Sequence, residues 1–304
     1  VAMTRRDLVA AAAAGATAAA VAGEAVAQTR RRAAPPPPRP KPATFVLVHG
    51  AWHGGWCWRD VRRRLEAQGH TVFTPTLTGL GERSHLRSPI PSLATHIQDV
   101  VNVIEWEELT DVVLCGHSYG GMVVTGACDA LKDRIRHIVY LDAAVPGDGD
   151  TFFSQSPGAT EESITKAMEG VKALAPDGQW MNVFPTSVLG IPDDHPLQPW
   201  VARRLTQHPL RTWTDGILLP NGGSEGLKRT YVLCTAPVMA GSSFPLHAER
   251  LKADPTWRYR ELATGHDAMV TAPAQTAALL MEAAAASDGL SGRRPRLPAG
   301  RRTR

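Results

Sequence analysis

Residues 112–121, VVLCGHSYGG, run an apolar stretch straight into Gly-x-Ser-x-Gly with Ser118 at its centre. Val112, Val113, Leu114 and Cys115 have the character of a buried strand, and the MVVTGACDALK that follows is compatible with a helix. A strand can hand over to a helix this abruptly only through a tight turn. Gly116 and Gly120 lack the Cβ atoms that would block that turn and the close approach of the helix. The geometry lifts the Ser118 hydroxyl out of the strand and above the sheet edge, as a nucleophile elbow does.

The rest of the chain repeats this strand-then-helix rhythm. Continuous apolar or β-prone runs at 44–49, 71–75, 137–142, 229–234 and 258–262 read as strands. Between them, 58–68 places Trp58, Val61 and Leu65 on one helical face, and 92–105 does the same with Leu93, Ile97, Val100, Val101 and Ile104. A last helix opens at Pro273. Strands apolar on both faces with helices between them imply an α/β fold with a mostly parallel sheet covered on both sides. From 147 to 227 the rhythm stops, and Phe152, Phe153, Trp180, Met181, Phe184, Trp200 and Trp213 occur among prolines. An apolar insertion between two strands is expected to form a helical lid over the carboxyl end of the sheet.

The ends differ in character. Arg5-Arg6 followed by an alanine-rich run and Ala25-Val26-Ala27 reads as a twin-arginine export signal over 1–27, so the expected location is periplasmic or secreted. Residues 28–43 read as a Pro/Arg-rich linker and 287–304 as a basic tail, leaving 44–286 as the folded domain. The basic pI of 9.0 comes from these ends. Thirteen of the 33 basic residues lie in 1–42 and 288–304, against three of the 29 acidic ones, so the core is acidic. That argues against nucleic acid as a partner, and no run suits stable membrane insertion once the signal is removed. Cys57, Cys115, Cys128 and Cys234 lack Cys-x-x-Cys spacing and read as core residues rather than metal ligands.

A nucleophilic serine needs a base, a group to orient the base and donors for the developing oxyanion. His266 follows the last strand, in LATGHD, where a loop can reach back to the elbow. The first strand runs into His49-Gly50-Ala51-Trp52-His53-Gly54-Gly55. No Lys-Ser/Thr follows, so this is not a phosphate loop. Its expected role is to aim the Ala51 backbone N–H, together with that of Tyr119, at an oxyanion.

The segments FVLVHGAWHGGWCW, TLTGLGERSH, LCGHSYGG, YLDAAVPGD and GHDAMVTAP resemble the α/β-hydrolase superfamily over about 44–286. Within it they are most similar to the plant methylesterase and hydroxynitrile lyase group and its bacterial esterase relatives. The resemblance implies Ser118 as nucleophile, His266 as base, Ala51 and Tyr119 as oxyanion donors, a small-molecule ester as substrate, and no cofactor or metal. It does not carry over the acid. Plant enzymes keep theirs in the loop after the strand equivalent to RTYVLC, which here reads TAPVMAG and holds no carboxylate.

Asp142, closing HIVYLD, is the expected acid, because the related haloalkane dehalogenases place theirs at that strand end. Asp254 sits in a polar stretch, and Asp267 adjoins the base too closely to bend back onto it. Hydroxynitrile lyases add a threonine in the oxyanion loop and a lysine after the histidine. Here those positions hold Gly50 and Asp267, which favours ester hydrolysis through an acyl-enzyme over cyanohydrin cleavage. A non-catalytic binding protein is the remaining alternative. The apolar insertion implies a largely apolar substrate, with Arg83 and His85 as possible contacts at the pocket mouth.

Overall fold

The computed structural model describes residues 41–288. The leader read at 1–27, nearly all of the 28–43 linker and the tail beyond Asp288 lie outside the described residues. β1 (Thr44–Val48) is followed by a single 3-10 turn and α1 (Arg59–Ala67), then β2 (Thr71–Phe73). α2 (Leu93–Trp106) starts one residue later than the 92–105 range read from the sequence, at the first of its apolar positions. Ser92 stands outside it and accepts from the Thr95 amide, completing a reciprocal capping box. β3 (Val112–His117), α3 (Gly120–Ala130) and β4 (Ile135–Leu141) complete the amino-terminal half.

The stretch between β4 and the next sheet strand holds α4 (Glu161–Lys172), β5 (Trp180–Met181), α5 (Gln198–Ala202), β6 (His208–Pro209) and α6 (Arg211–Thr214). The sequence carries no strand period here. Even so, Trp180 pairs with Pro209 and Met181 with His208 in a two-stranded antiparallel ribbon. Two-residue strands are too short to leave an alternating signature. The chain then returns through β7 (Lys228–Cys234), α7 (Phe244–Lys252), β8 (Trp257–Leu262), α8 (Ala268–Thr271) and α9 (Pro273–Asp288).

The six main strands pair in the order β2-β1-β3-β4-β7-β8, and every pairing is parallel. Alternate residues feed two cores. Val46, Val48 and Leu114 pack with α2, α3 and α7, whereas Phe45, Leu47, Val113 and Cys115 pack with α1 and α9. All four cysteines are buried and unpaired. No helix among the described residues is long and apolar enough to cross a membrane.

This strand order positions the site. From β1 the chain passes to β2 on one side and then crosses to β3 on the other. The loops leaving the carboxyl ends of β1 and β3 therefore diverge, and α/β sheets bind ligands in the crevice at such a reversal.

Candidate active site

Ser118 lies between β3 and α3 with φ of 56°, a left-handed value that a non-glycine residue adopts only when its surroundings enforce it. The enforcement is visible in the glycines. A Cβ on Gly121 would lie 2.0 Å from the Ala144 carbonyl oxygen, and one on Gly50 would lie 2.8 Å from the Ser118 Cβ. The β1 and β3 loops are thus pressed together at the crevice, with no room for a side chain at position 50.

Three non-glycine residues with positive φ mark the site: Trp52 at 64°, Ser118, and Asp142 at 44°. Asp142 follows β4 directly, its amide bonded to the Val232 carbonyl at 2.7 Å. One carboxylate oxygen accepts from the Cys234 amide at 3.1 Å, and the other meets His266 Nδ1 at 2.6 Å. Both side chains are almost completely buried. A carboxylate can only accept, so Nδ1 carries the proton and Nε2 keeps its lone pair. The His266 ring is also held by stacking on Phe244, with centroids 5.1 Å apart and planes 8° apart.

β7, the strand after which plant relatives carry their acid, here holds Asp142 in place through the Val232 carbonyl and the Cys234 amide. Because β4 and β7 are sheet neighbours, a carboxylate at the end of either can reach the same imidazole. Asp254 instead accepts from Thr256 in the turn before β8.

Ser118, His266 and Ala51 face one cavity of about 740 Å³. Its walls include the aromatic side chains of Trp52, Phe152, Phe153, Phe184, Trp213 and Phe244. Of the insertion residues singled out in the sequence, Trp180, Met181 and Trp200 lie elsewhere. Trp200 is covered by Arg59 and Arg204, and Trp180 by Arg87. Arg83 and His85 do not line the cavity. Arg83 donates to the Thr76 carbonyl and to Asp99, tying its loop to α2. Neither the Ala51 nor the Tyr119 amide has a backbone acceptor among the described residues. Tyr119 caps α3, so its N–H lies at the positive end of that helix.

Sequence reasoning missed how many buried histidines surround this floor. His49 accepts from the Leu77 amide, and burial lowers its pKa to about 3. His208 accepts from the Trp52 amide, and burial holds its pKa well below the ordinary value. His96 faces the Tyr119 hydroxyl and the Thr78 carbonyl, and burial lowers it to about 4. His117, immediately before Ser118, donates from Nε2 to the His266 carbonyl at 3.0 Å, and its pKa is also pushed well down by burial. Isolated histidines scattered over a loop, a helix and two strands carry no periodic signal, so only the fold could gather them.

His117, His266 and Asp267 each offer a side-chain atom within 4.8 Å of the others. His266 Nδ1 is taken by Asp142, and His117 Nε2 by a carbonyl, so the trio reads as a hydrogen-bonded network rather than a metal cradle.

The α/β hydrolase family profile matches residues 45–279. The chain belongs to the α/β hydrolase family. A carbendazim hydrolyzing esterase from Nocardioides sp. (strain SG-4G) is 42% identical over 238 residues, which are 77% of this chain and 97% of that protein. Methylesterase 2 of Arabidopsis thaliana is 34% identical over 148 residues, 45% of this chain and 48% of its own. Among solved structures, an extracellular α/β-hydrolase from a Paenibacillus species superposes with a TM-score of 0.66 at 25% identity. That match covers 80% of this chain and 99% of the other. These relatives place this α/β hydrolase among the carboxylic ester hydrolases.

Proposed function

We propose that the protein hydrolyses esters of small, largely apolar substrates through an acyl-enzyme on Ser118. The observation that carries this reading is the buried 2.6 Å contact of His266 with Asp142 on the wall of the cavity that Ser118 faces. With Nδ1 protonated, His266 has Nε2 available to take the Ser118 proton as the hydroxyl oxygen attacks the ester carbonyl. The Ala51 and Tyr119 amides then receive the oxyanion, a task for which loss of one donor typically costs about 3–4 kcal/mol in related sites. The tetrahedral species collapses, and the alcohol leaves with the proton from His266. Water repeats the sequence and releases the acid. Asp142 keeps the imidazole in the required tautomer and stabilises the imidazolium formed at each step.

The aromatic walls favour an apolar acyl or alcohol portion. A rate panel tests the reading: p-nitrophenyl esters, methyl aryl esters, a lactone, carbendazim and mandelonitrile, each against Ser118→Ala. Ester turnover that vanishes in the variant is expected. Cleavage of mandelonitrile with no ester turnover would move the protein to the lyases, and activity retained by Ser118→Ala would remove the nucleophile.

A further inference from the structure

Asp267, which the sequence places beside the base with no evident task, is completely buried. One of its carboxylate oxygens lies 2.9 Å from His53 Nε2, and the other lies 3.9 Å from His117 Nε2. His53 is as deeply buried, and its Nδ1 lies 2.7 Å from the Ala51 carbonyl. This differs from the neighbouring histidines. His49 and His208 each accept a hydrogen bond from an N–H at one ring nitrogen and are neutral for that reason. Both nitrogens of His53 face acceptors, a carbonyl and a carboxylate, and satisfying both needs a proton on each. The partnered carboxylate raises the His53 pKa against the opposing effect of burial.

The pair also bridges two parts of the candidate machinery. His53 belongs to the β1 loop and holds the Ala51 carbonyl, one peptide plane from the Ala51 N–H. Asp267 adjoins His266, and its amide donates to the Leu189 carbonyl of the insertion at 3.0 Å. His53 itself faces the cavity. A buried cation at this place favours negative charge developing beside it, and in a dry site such a field is strong.

We propose that His53 and Asp267 form a charged positioning pair that fixes the Ala51 donor relative to the His266 base and sets an imidazolium beside the oxyanion site. The proposal rests on the acyl-transfer reading above. Relatives that carry lysine after the base would place a cation directly there. Here the residue at that position is an anion, and it secures the cation on the facing loop instead.

The pair gives the reaction an alkaline limit. Activity falls at high pH as His53 loses its proton. The groups facing His53 do not supply that limb. Asp267 is its anion, and His49, His117 and His208 are held neutral by burial. Cys57 and Tyr119 are pushed far up by burial and keep their protons.

Two measurements test this on the full-length protein. First, nitrogen–proton NMR of histidine-labelled protein at about pH 7.5, above the usual imidazole range of about 6.5, is expected to show an imidazole protonated on both nitrogens. A spectrum in which every histidine is singly protonated would overturn the charged pair without any variant having to fold. Second, Asp267→Asn and the neutral double variant His53→Gln/Asp267→Asn are compared with wild type across pH. The expected result is kcat lower by about 10- to 100-fold, in line with small misplacements of catalytic geometry. KM should stay within about threefold, and the alkaline limb should be missing in both variants. A double variant with wild-type kcat and an unchanged profile would overturn the proposal, because a merely structural hydrogen bond survives in it. Stoichiometric organophosphonate labelling of Ser118 in the wild type, run alongside, separates this failure from failure of the acyl-transfer reading.

Discussion

Acidification to pH 5.5 should destabilise this protein far more than its carboxylates alone require. Burial lowers the pKa of His49 and His247 to about 3, and of His96 and His137 to about 4, all from 6.5. In the unfolded chain each takes up a proton near 6.5, whereas in the folded protein each stays neutral until much lower pH. The unfolded state therefore binds more protons throughout this window, and stability falls as pH drops through and below 6.5. One unit below the unfolded pKa, each such group costs about 1.4 kcal/mol, so the four together cost about 5–6 kcal/mol. Net stabilities of about 5–15 kcal/mol make that a large fraction of the whole. For a domain of this size it corresponds to a fall of about 10–20 °C in melting temperature.

Equilibrium urea unfolding at pH 7.5 and 5.5, followed by circular dichroism, measures the effect. The midpoint should fall with the slope on urea unchanged, since a changed slope would signal altered compactness instead. His137 pairs with Thr230 across β4 and β7, away from the cavity, and His137→Asn should remove about a quarter of the loss. A loss below about 1 kcal/mol between the two pH values would refute the reasoning, because it would mean that these imidazoles protonate without leaving their buried sites.

Other expectations follow from the site and its supports. Asp142→Asn should lower kcat by about 10⁴ with the fold retained, since asparagine tolerates a positive φ and matches aspartate in size; steady-state kinetics with a circular dichroism control checks this. Gly121→Ala would drive a Cβ to 2.0 Å from the Ala144 carbonyl, so the variant should be recovered poorly folded, as thermal unfolding would reveal. Because the His53 pKa is raised, its contribution to stability is complete below the unfolded imidazole pKa and is lost as pH rises through the folded one. Asp267→Asn should flatten that alkaline decline in a melting-temperature series.

The sheet was legible because its central strands β1, β3 and β4 are buried on both faces and read as largely apolar runs, and because VVLCGHSYGG marks the one turn that most constrains the topology. The helices α1 and α2 were legible from spacing, though in α2 the buried position beside Leu93 belongs to His96, with Ile97 only partly covered. His96 is accommodated there because the Thr78 carbonyl and the Tyr119 hydroxyl satisfy its ring, and no local pattern announces such partners. The insertion was legible as a break in rhythm but not in its parts. Which of its aromatics face the cavity depends on short helices and a two-residue ribbon. Asp142 could be picked as the candidate acid from its place at a strand end, whereas its hold on the Cys234 amide required the β4–β7 pairing. The partnership of Asp267 with His53, 214 positions apart, is a product of the tertiary structure alone.

The central claim is that Ser118 carries the acyl group, and covalent trapping tests it most directly. Intact-protein mass spectrometry after reaction with an organophosphonate should show a single adduct, mapped by peptide digestion to Ser118, and none on Ser118→Ala. Equal labelling of the variant, or an adduct mapped to another residue, would contradict the account.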